Sequence, residues 1–189
     1  MKIGILGGTF NPVHKGHLQI AKEAAKRLKL DRVIFVPTYI PPHKKMHGNA
    51  TAGDRVRMLR MALSKHRNFS ISLYEIKRKG TSYTVNTVKY LKRRYGSKAQ
   101  FYFLMGSDSL KGLNRWRRIE PLFKMVKFIV APRQGSSAAR VDRRILRMDI
   151  PMIDISSTAI RRLIRRGENP RDLIAEGVCA YMEEKGLYI

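Results

Sequence analysis

The chain has 189 residues, and its 39 Lys and Arg against 14 Asp and Glu give a formal net charge of +25. This length suits one domain able to bury a core, and 43% hydrophobic content excludes a disordered basic tail. The charge favours anionic partners, whether nucleotides, nucleic acid or a membrane surface, and carries no information about fold.

Lys2 to Leu6 is a short apolar run that reads as a strand broken by Gly7-Gly8. Leu18, Ala21, Ala25 and Leu28 are spaced for the buried face of a helix. Arg32 to Val36 is a second buried strand, stopped by Pro37, and Gly53 to Leu63 returns to helix. Phe69 to Leu73 alternates as a strand, Thr84 to Tyr95 is helical, and Gln100 to Met105 is a further strand. The pattern then predicts a helix over Arg115 to Met125 and a strand over Lys127 to Ala131. A short strand near Met152-Ile153 leads into helices at about Thr158–Arg166 and Glu176–Lys185. Such alternation predicts an α/β fold: a single Rossmann-like domain over 1–189, with a mainly parallel sheet, helices on both faces and a C-terminal helical part from about 156. The Gly-, Ser- and Ala-rich stretches His47 to Gly53 and Gln134 to Arg140 read as surface loops.

The single cysteine, Cys179, can form neither an internal disulfide nor a thiolate cluster, which fits a reducing cytoplasm. The opening MKIGILGGTF is too short an apolar run for a signal peptide, and no stretch approaches the ~18 apolar residues of a membrane span. A cytoplasmic protein without membrane association is expected.

The densest chemical signal is Gly7 to His17, GGTFNPVHKGH. Two glycines follow a strand, where a backbone turning tightly approaches a ligand, and the segment enters a helix whose N-terminal N–H groups and dipole favour phosphate. His14 and His17, three apart, can face one ligand. The spacing is neither a dinucleotide fingerprint nor a P-loop. Helix capping is the ordinary alternative for these histidines. No metal site is expected, because Cys and carboxylate companions are missing at ligand spacing. Near the other end, Ile155 to Arg161 (ISSTAIR) sets Ser156, Ser157 and Thr158 between strand and helix. One hydroxyl suffices as a cap; three, with Arg161 a turn further on, make a phosphate nest.

Together these two segments resemble the HxGH nucleotidyltransferase superfamily. PPHK at Pro41–Lys44, SYT at Ser82–Thr84, GSDSL at Gly106–Leu110, Trp116 and the closing GLY at Gly186–Tyr188 resemble the bacterial nicotinate-nucleotide adenylyltransferases in particular. The likeness runs almost end to end. Asn11 departs from it, since Asp is commoner there; either side chain can hold a loop turn.

The resemblance implies transfer of AMP from ATP to nicotinate mononucleotide, giving deamido-NAD and pyrophosphate in NAD biosynthesis, with Mg²⁺ carried by ATP. It implies catalytic roles for His14, His17 and Arg161. The implied ATP-binding set is Gly7, Gly8, Thr9, Phe10, His14, His17, Gly106, Asp108, Ile155, Ser156, Ser157, Thr158 and Arg161. On the mononucleotide it implies Lys44 at the phosphate, Trp116 stacked on the pyridine ring, and backbone N–H groups of Thr84 and Arg117 at the carboxylate. All these segments follow predicted strands, and α/β sheets bind ligands at the strands' carboxyl ends.

Two other readings stay open at this point. One is a nicotinamide-mononucleotide or pantetheine-phosphate adenylyltransferase of the same superfamily. The other is a basic nucleic-acid-binding protein, although no helix-turn-helix, zinc-finger or RNA-recognition signature accompanies clusters such as Lys92-Arg93-Arg94. Specific nucleic-acid binding is not expected; salt-sensitive, nonspecific adhesion is. The pattern leaves a homo-oligomer open.

Overall fold

Short β-branched and aromatic runs form six strands: β1 (Lys2–Gly8), β2 (Arg32–Pro37), β3 (Phe69–Ile71), β4 (Gln100–Gly106), β5 (Lys127–Ala131) and β6 (Ile145–Arg147). The amphipathic stretches form α1 (Lys15–Leu28), α2 (Ala52–Leu63), α3 (Tyr74–Arg78), α4 (Thr84–Tyr95), α5 (Ile119–Met125), α6 (Ser157–Arg165) and α7 (Glu176–Glu184), with a 3-10 helix over Ser107–Arg115. The structure, a computed structural model, describes residues 1–43, 45–132, 142–150 and 155–189.

The six strands are all parallel, in the order β3-β2-β1-β4-β5-β6. From β1 the chain winds outward through β2 and β3, then returns to the other side of β1 to continue through β4. That reversal between β1 and β4 opens a crevice at the carboxyl edge of the sheet.

Strands covered on both faces need apolar side chains in both directions. Leu6, Val33, Phe35 and Leu104 pack with Ala21 of α1, Leu59 of α2, Ile160 of α6 and Val178 of α7. Their neighbours Ile3, Ile5, Ile34, Val36 and Phe103 pack with Val88 of α4 and Leu122 of α5. The expected α/β layering is present. No helix of the described residues is long and apolar enough to cross a membrane.

Three details differ from the sequence pattern. First, β1 does not stop at the glycines; it runs through Gly7 and Gly8, and the left-handed residue is Phe10 (φ 47°). Gly8 serves packing instead, because a Cβ there would meet the Phe10 ring at 3.2 Å. Second, the helix expected over 115–125 begins only at Ile119. The 3-10 helix ends at Arg115, Trp116 is extended (φ −70°, ψ 130°) and Arg118 is left-handed (φ 56°). Gly112 and Asn114 are poor α-helix formers, and the break turns the Trp116 ring edge-on to Phe103, with centroids 5.5 Å apart. Third, α3 and β6, at five and three residues, are too short to show a period. The strand expected near 152–153 and the loop expected over 134–140 lie outside the described residues.

Candidate active site

Two lobes open side by side over the β1/β4 reversal, with volumes of about 440 and 410 Å³. They meet over Gly7, Gly8, Thr9, Met105, Asp108 and Ser109, which line both. Each of these residues ends β1 or β4 or begins the loop after it, so the sheet itself sets the junction.

The first lobe is built on the N-termini of α1 and α6. His14 is the residue before α1 and is buried; its backbone N–H donates to His17 Nδ1 at 3.2 Å. The two rings lie 3.6 Å apart, and Phe10 stands edge-on to His17 at 5.0 Å. A neutral imidazole that accepts at Nδ1 carries its proton on Nε2, as a donor. On α6, the Ser156 hydroxyl caps the Ala159 N–H at 3.1 Å, and the Ser157 hydroxyl donates to the Pro12 carbonyl at 2.9 Å.

Arg161 is buried among neutral acceptors: its guanidinium donates to the Asn11 carbonyl at 2.7 Å and to Thr158 Oγ1 at 3.1 Å. Burial pulls its pKa down, with Arg165 adding to the effect and Tyr188 opposing it, yet a guanidinium stays charged. Among the described residues no carboxylate pairs with it, and neither α1 nor α6 has an acid in its first turn. Two positive helix ends and an unneutralised cation therefore converge on this lobe. Of the three hydroxyls expected to hold phosphate, Ser157 also ties α6 to the loop after β1, while Ser156 and Thr158 make their bonds within α6 itself.

The second lobe is more aromatic, lined by Tyr83, Phe103 and Trp116. Trp116, half-buried, rests on Phe103 and Phe128, and the Arg117 guanidinium lies 4.8 Å over the Tyr83 ring. Residues 81–84 do not follow a strand directly, since α3 intervenes. A parallel bridge between Ile40 and Thr81 carries them to the sheet edge, strengthened by the Ser82 N–H on the Ile40 carbonyl (2.8 Å) and the Tyr39 N–H on Ser82 Oγ (3.0 Å). Tyr83 gives α4 no side-chain cap, and the first turn has no acid. In contrast, α2 is closed by Thr51 and Asp54 in a reciprocal box. An uncapped helix end at a cleft is suited to a carboxylate.

Behind that helix end sits Glu75, buried at 7% exposure and accepting the Thr87 hydroxyl. Burial pushes its pKa up, while the hydroxyls of Thr87, Ser82 and Thr38 and the charge of Arg78 pull it back. That upward shift disfavours a second negative charge beside a bound anion.

Of the residues expected from sequence, His14, His17, Gly106, Ile155, Ser156, Ser157, Thr158 and Arg161 line the first lobe, and Thr84, Trp116 and Arg117 the second. Gly7, Gly8, Thr9 and Asp108 line both. Phe10, expected in the ATP set, lines neither: its side chain is wholly buried beneath Gly8. Lys44 lies outside the described residues, while its neighbours His43 and Lys45 line the second and first lobes respectively.

Sequence reasoning missed Arg55, Glu75, Thr87 and Tyr188. Arg55, 2% exposed, donates from one terminal nitrogen to the carbonyls of Thr9 and Thr38, both at 2.7 Å, and so joins the loops after β1 and β2. It shares its helix face with buried Met58, Leu59 and Ala62. A cation in an i, i+3, i+4, i+7 apolar stripe was a readable signal that it must find backbone carbonyls.

Residues 5–163 match the cytidylyltransferase-like family. The chain is 42% identical to the probable nicotinate-nucleotide adenylyltransferase of Exiguobacterium sibiricum, across 100% of this chain and 99% of that protein. It is 38% identical to the protein of the same name from Clostridium tetani, across 99% and 98%. In fold it is similar to Plasmodium falciparum nicotinic acid mononucleotide adenylyltransferase complexed with NaAD, with a TM-score of 0.82 at 18% identity over 99% of this chain and 97% of that one.

Proposed function

The chain belongs to the cytidylyltransferase-like family and, with its curated relatives, to the nicotinate-nucleotide adenylyltransferases, and we propose that it joins ATP and nicotinate mononucleotide across the two lobes. The products are deamido-NAD and pyrophosphate. The observation that carries the reading is the cleft itself: a lobe with the buried Arg161 at two helix N-termini abuts an aromatic lobe with an uncapped helix end, over one glycine-lined junction.

The attacking group is the mononucleotide phosphate, largely dianionic at neutral pH because its second pKa is near ~6. It needs no general base, so the protein's task is alignment and charge stabilisation at the α-phosphorus. His17 offers its Nε2 proton to the reacting phosphate, with His14 beside it. Arg161 and the N-terminus of α6, including Ser156, Ser157 and Thr158, take the β- and γ-phosphates and the leaving pyrophosphate. Asp108, at the junction, accepts from ribose hydroxyls, and Gly7 and Gly8 let the substrates approach the backbone.

In the second lobe Trp116 offers a face to the pyridine ring, and the backbone N–H groups of Thr84 and Arg117 take the nicotinate carboxylate. An amide in its place would leave donors facing donors, which disfavours nicotinamide mononucleotide. Lys44 is assigned to the mononucleotide phosphate. Mg²⁺ enters as part of the ATP substrate, since Mg²⁺ is usually held by phosphate oxygens and water with one or two carboxylates; Asp108 is the acid at the junction. Residues 1–189 act as one domain, the part from about 156 closing the phosphate lobe through Ser157–Pro12 and Leu173–Lys15 hydrogen bonds.

Pyrophosphate release with ATP and each of nicotinate mononucleotide, nicotinamide mononucleotide and 4′-phosphopantetheine tests the reading. Release is expected to be fastest with nicotinate mononucleotide. Faster turnover with either other acceptor would overturn the assignment.

A further inference from the structure

We propose that Tyr188 is a positioning residue for the phosphate lobe, acting through Asn11 on Arg161 and on the loop at 47–49; the proposal rests on the reading that this lobe takes ATP.

Tyr188 follows α7 and is 1% exposed. Its hydroxyl donates to Asn11 Oδ1 at 2.7 Å. Asn11, 3% exposed, then acts in two directions: its Nδ2 donates to the His47 carbonyl at 2.7 Å, and its own carbonyl receives Arg161 at 2.7 Å. One phenol therefore fixes the side chain whose backbone oxygen holds the buried cation of the lobe.

The tyrosine is itself held firmly. Its backbone is left-handed (φ 72°), a conformation a bulky residue adopts only when its surroundings impose it. Its N–H donates to Asn49 Oδ1 at 2.8 Å, and Asn49 Nδ2 donates to the Gly186 carbonyl at 2.9 Å, so one side chain clips the turn on both sides. The ring lies against Gly48, where a Cβ would fall 2.8 Å from Tyr188 Cδ1 and 3.7 Å from Arg161 Cδ. Burial pushes the phenol's pKa well above its usual value, opposed by the charges of Arg161 and Arg55. The group is therefore a donor at any physiological pH.

The chemistry at Asn11 uses both ends of the amide. An acceptor alone would hold Tyr188 and lose the His47 carbonyl; a donor alone would do the reverse. Removing the phenol hydroxyl leaves a buried amide oxygen without its donor, and the amide can then turn to satisfy it. Arg161 would lose the fixed carbonyl that aims it, while residues of the aromatic lobe, on α4 and after the 3-10 helix, would keep all their contacts.

The test is Tyr188→Phe, which keeps the ring. Equilibrium titration with a non-hydrolysable ATP analogue, in the absence of mononucleotide, is expected to show about tenfold weaker binding. The KM for ATP should rise in parallel, and the KM for nicotinate mononucleotide should stay within about twofold. Unchanged analogue affinity, or equal rises in both KM values, would overturn the proposal, since a merely structural role predicts no selectivity between lobes. Should Tyr188→Phe not fold, Asn49→Ala loosens the same turn from outside, and the same selective loss or its absence decides. Wild-type protein that binds the analogue but releases no pyrophosphate with nicotinate mononucleotide breaks the acceptor reading alone; Tyr188→Phe protein that turns over normally breaks this proposal alone.

Discussion

The phosphate lobe joins residues from opposite ends of the chain, whereas the contacts that shape the aromatic lobe span far fewer positions. Arg161 reaches Asn11 across 150 positions, Ser157 reaches Pro12 across 145 and Tyr188 reaches Asn11 across 177. Glu75 meets Thr87 over only 12, and Trp116 finds Phe103 and Phe128 on adjacent strands. The ligand chemistry explains the contrast. A triphosphate requires positive charge that no acid neutralises, and a buried guanidinium without a carboxylate needs carbonyl oxygens, which here come from a distant loop. A pyridine ring requires a flat apolar face, which the aromatic packing of the sheet already supplies.

The comparison can be broken most sharply at His17. His17→Ala is expected to lower kcat by about 10²–10³-fold, the usual cost of losing a donor to developing charge, with circular dichroism unchanged. The KM for the mononucleotide should hardly move. Near-normal kcat would remove the transition-state role and reduce the phosphate lobe to a binding surface.

Trp116→Ala addresses the other side. The expected rise in mononucleotide KM is about tenfold, the scale of base–aromatic stacking, against little change for ATP. Some loss of thermal stability should accompany it, because the ring also covers Phe103 and Phe128. Equal KM effects on both substrates would withdraw the stacking assignment. Asp108 lines both lobes, so Asp108→Ala is expected to weaken the two substrates together, by about three- to tenfold each. A change confined to one substrate would place the carboxylate on that side of the junction.

How far the sequence discloses these features follows from the same contrast. The alternating strands and the apolar stripes of α1 and α2 were legible because their periods persist for five residues or more. The phosphate-binding segments were legible because each concentrates its chemistry in a few consecutive residues, GGTFNPVHKGH and ISSTAIR. Tyr188 was legible only as part of a family landmark, since its hydroxyl partner lies 177 positions away and leaves no local trace. The Trp116 turn reads as helix in the sequence because the residues after it do carry a helical pattern, and a left-handed arginine at 118 has no signature in residue type. Glu75 had no signal of its own: an acid in a five-residue helix normally faces water, and only the hydroxyls of residues 82 and 87 hinted at what would cover it.

Glu75 also gives the subtlest test, because it is the ionisable residue behind the aromatic lobe, as Tyr188 and Arg161 are behind the phosphate lobe. Its folded-state pKa lies above the unfolded value, chiefly through burial. The protonated carboxyl's contribution is therefore complete below the unfolded pKa of about 4.3, and it is lost as pH rises through the folded value. Glu75→Gln keeps a neutral group of similar shape and cannot ionise. The melting temperature of the variant minus that of the wild type should thus grow as pH rises from about 4.5, by roughly 3 °C for each kcal/mol of ionisation cost. Taking the difference cancels the other titrating groups, including His66, whose pKa burial lowers, and Asp142, held near about 2 by the Arg144 hydrogen bond. A difference that stays flat from pH 4.5 to 8 would mean that the buried carboxyl ionises as easily in the folded chain as outside it. The wall behind α4 would then carry a full negative charge, and the carboxylate of the mononucleotide would have to bind against it.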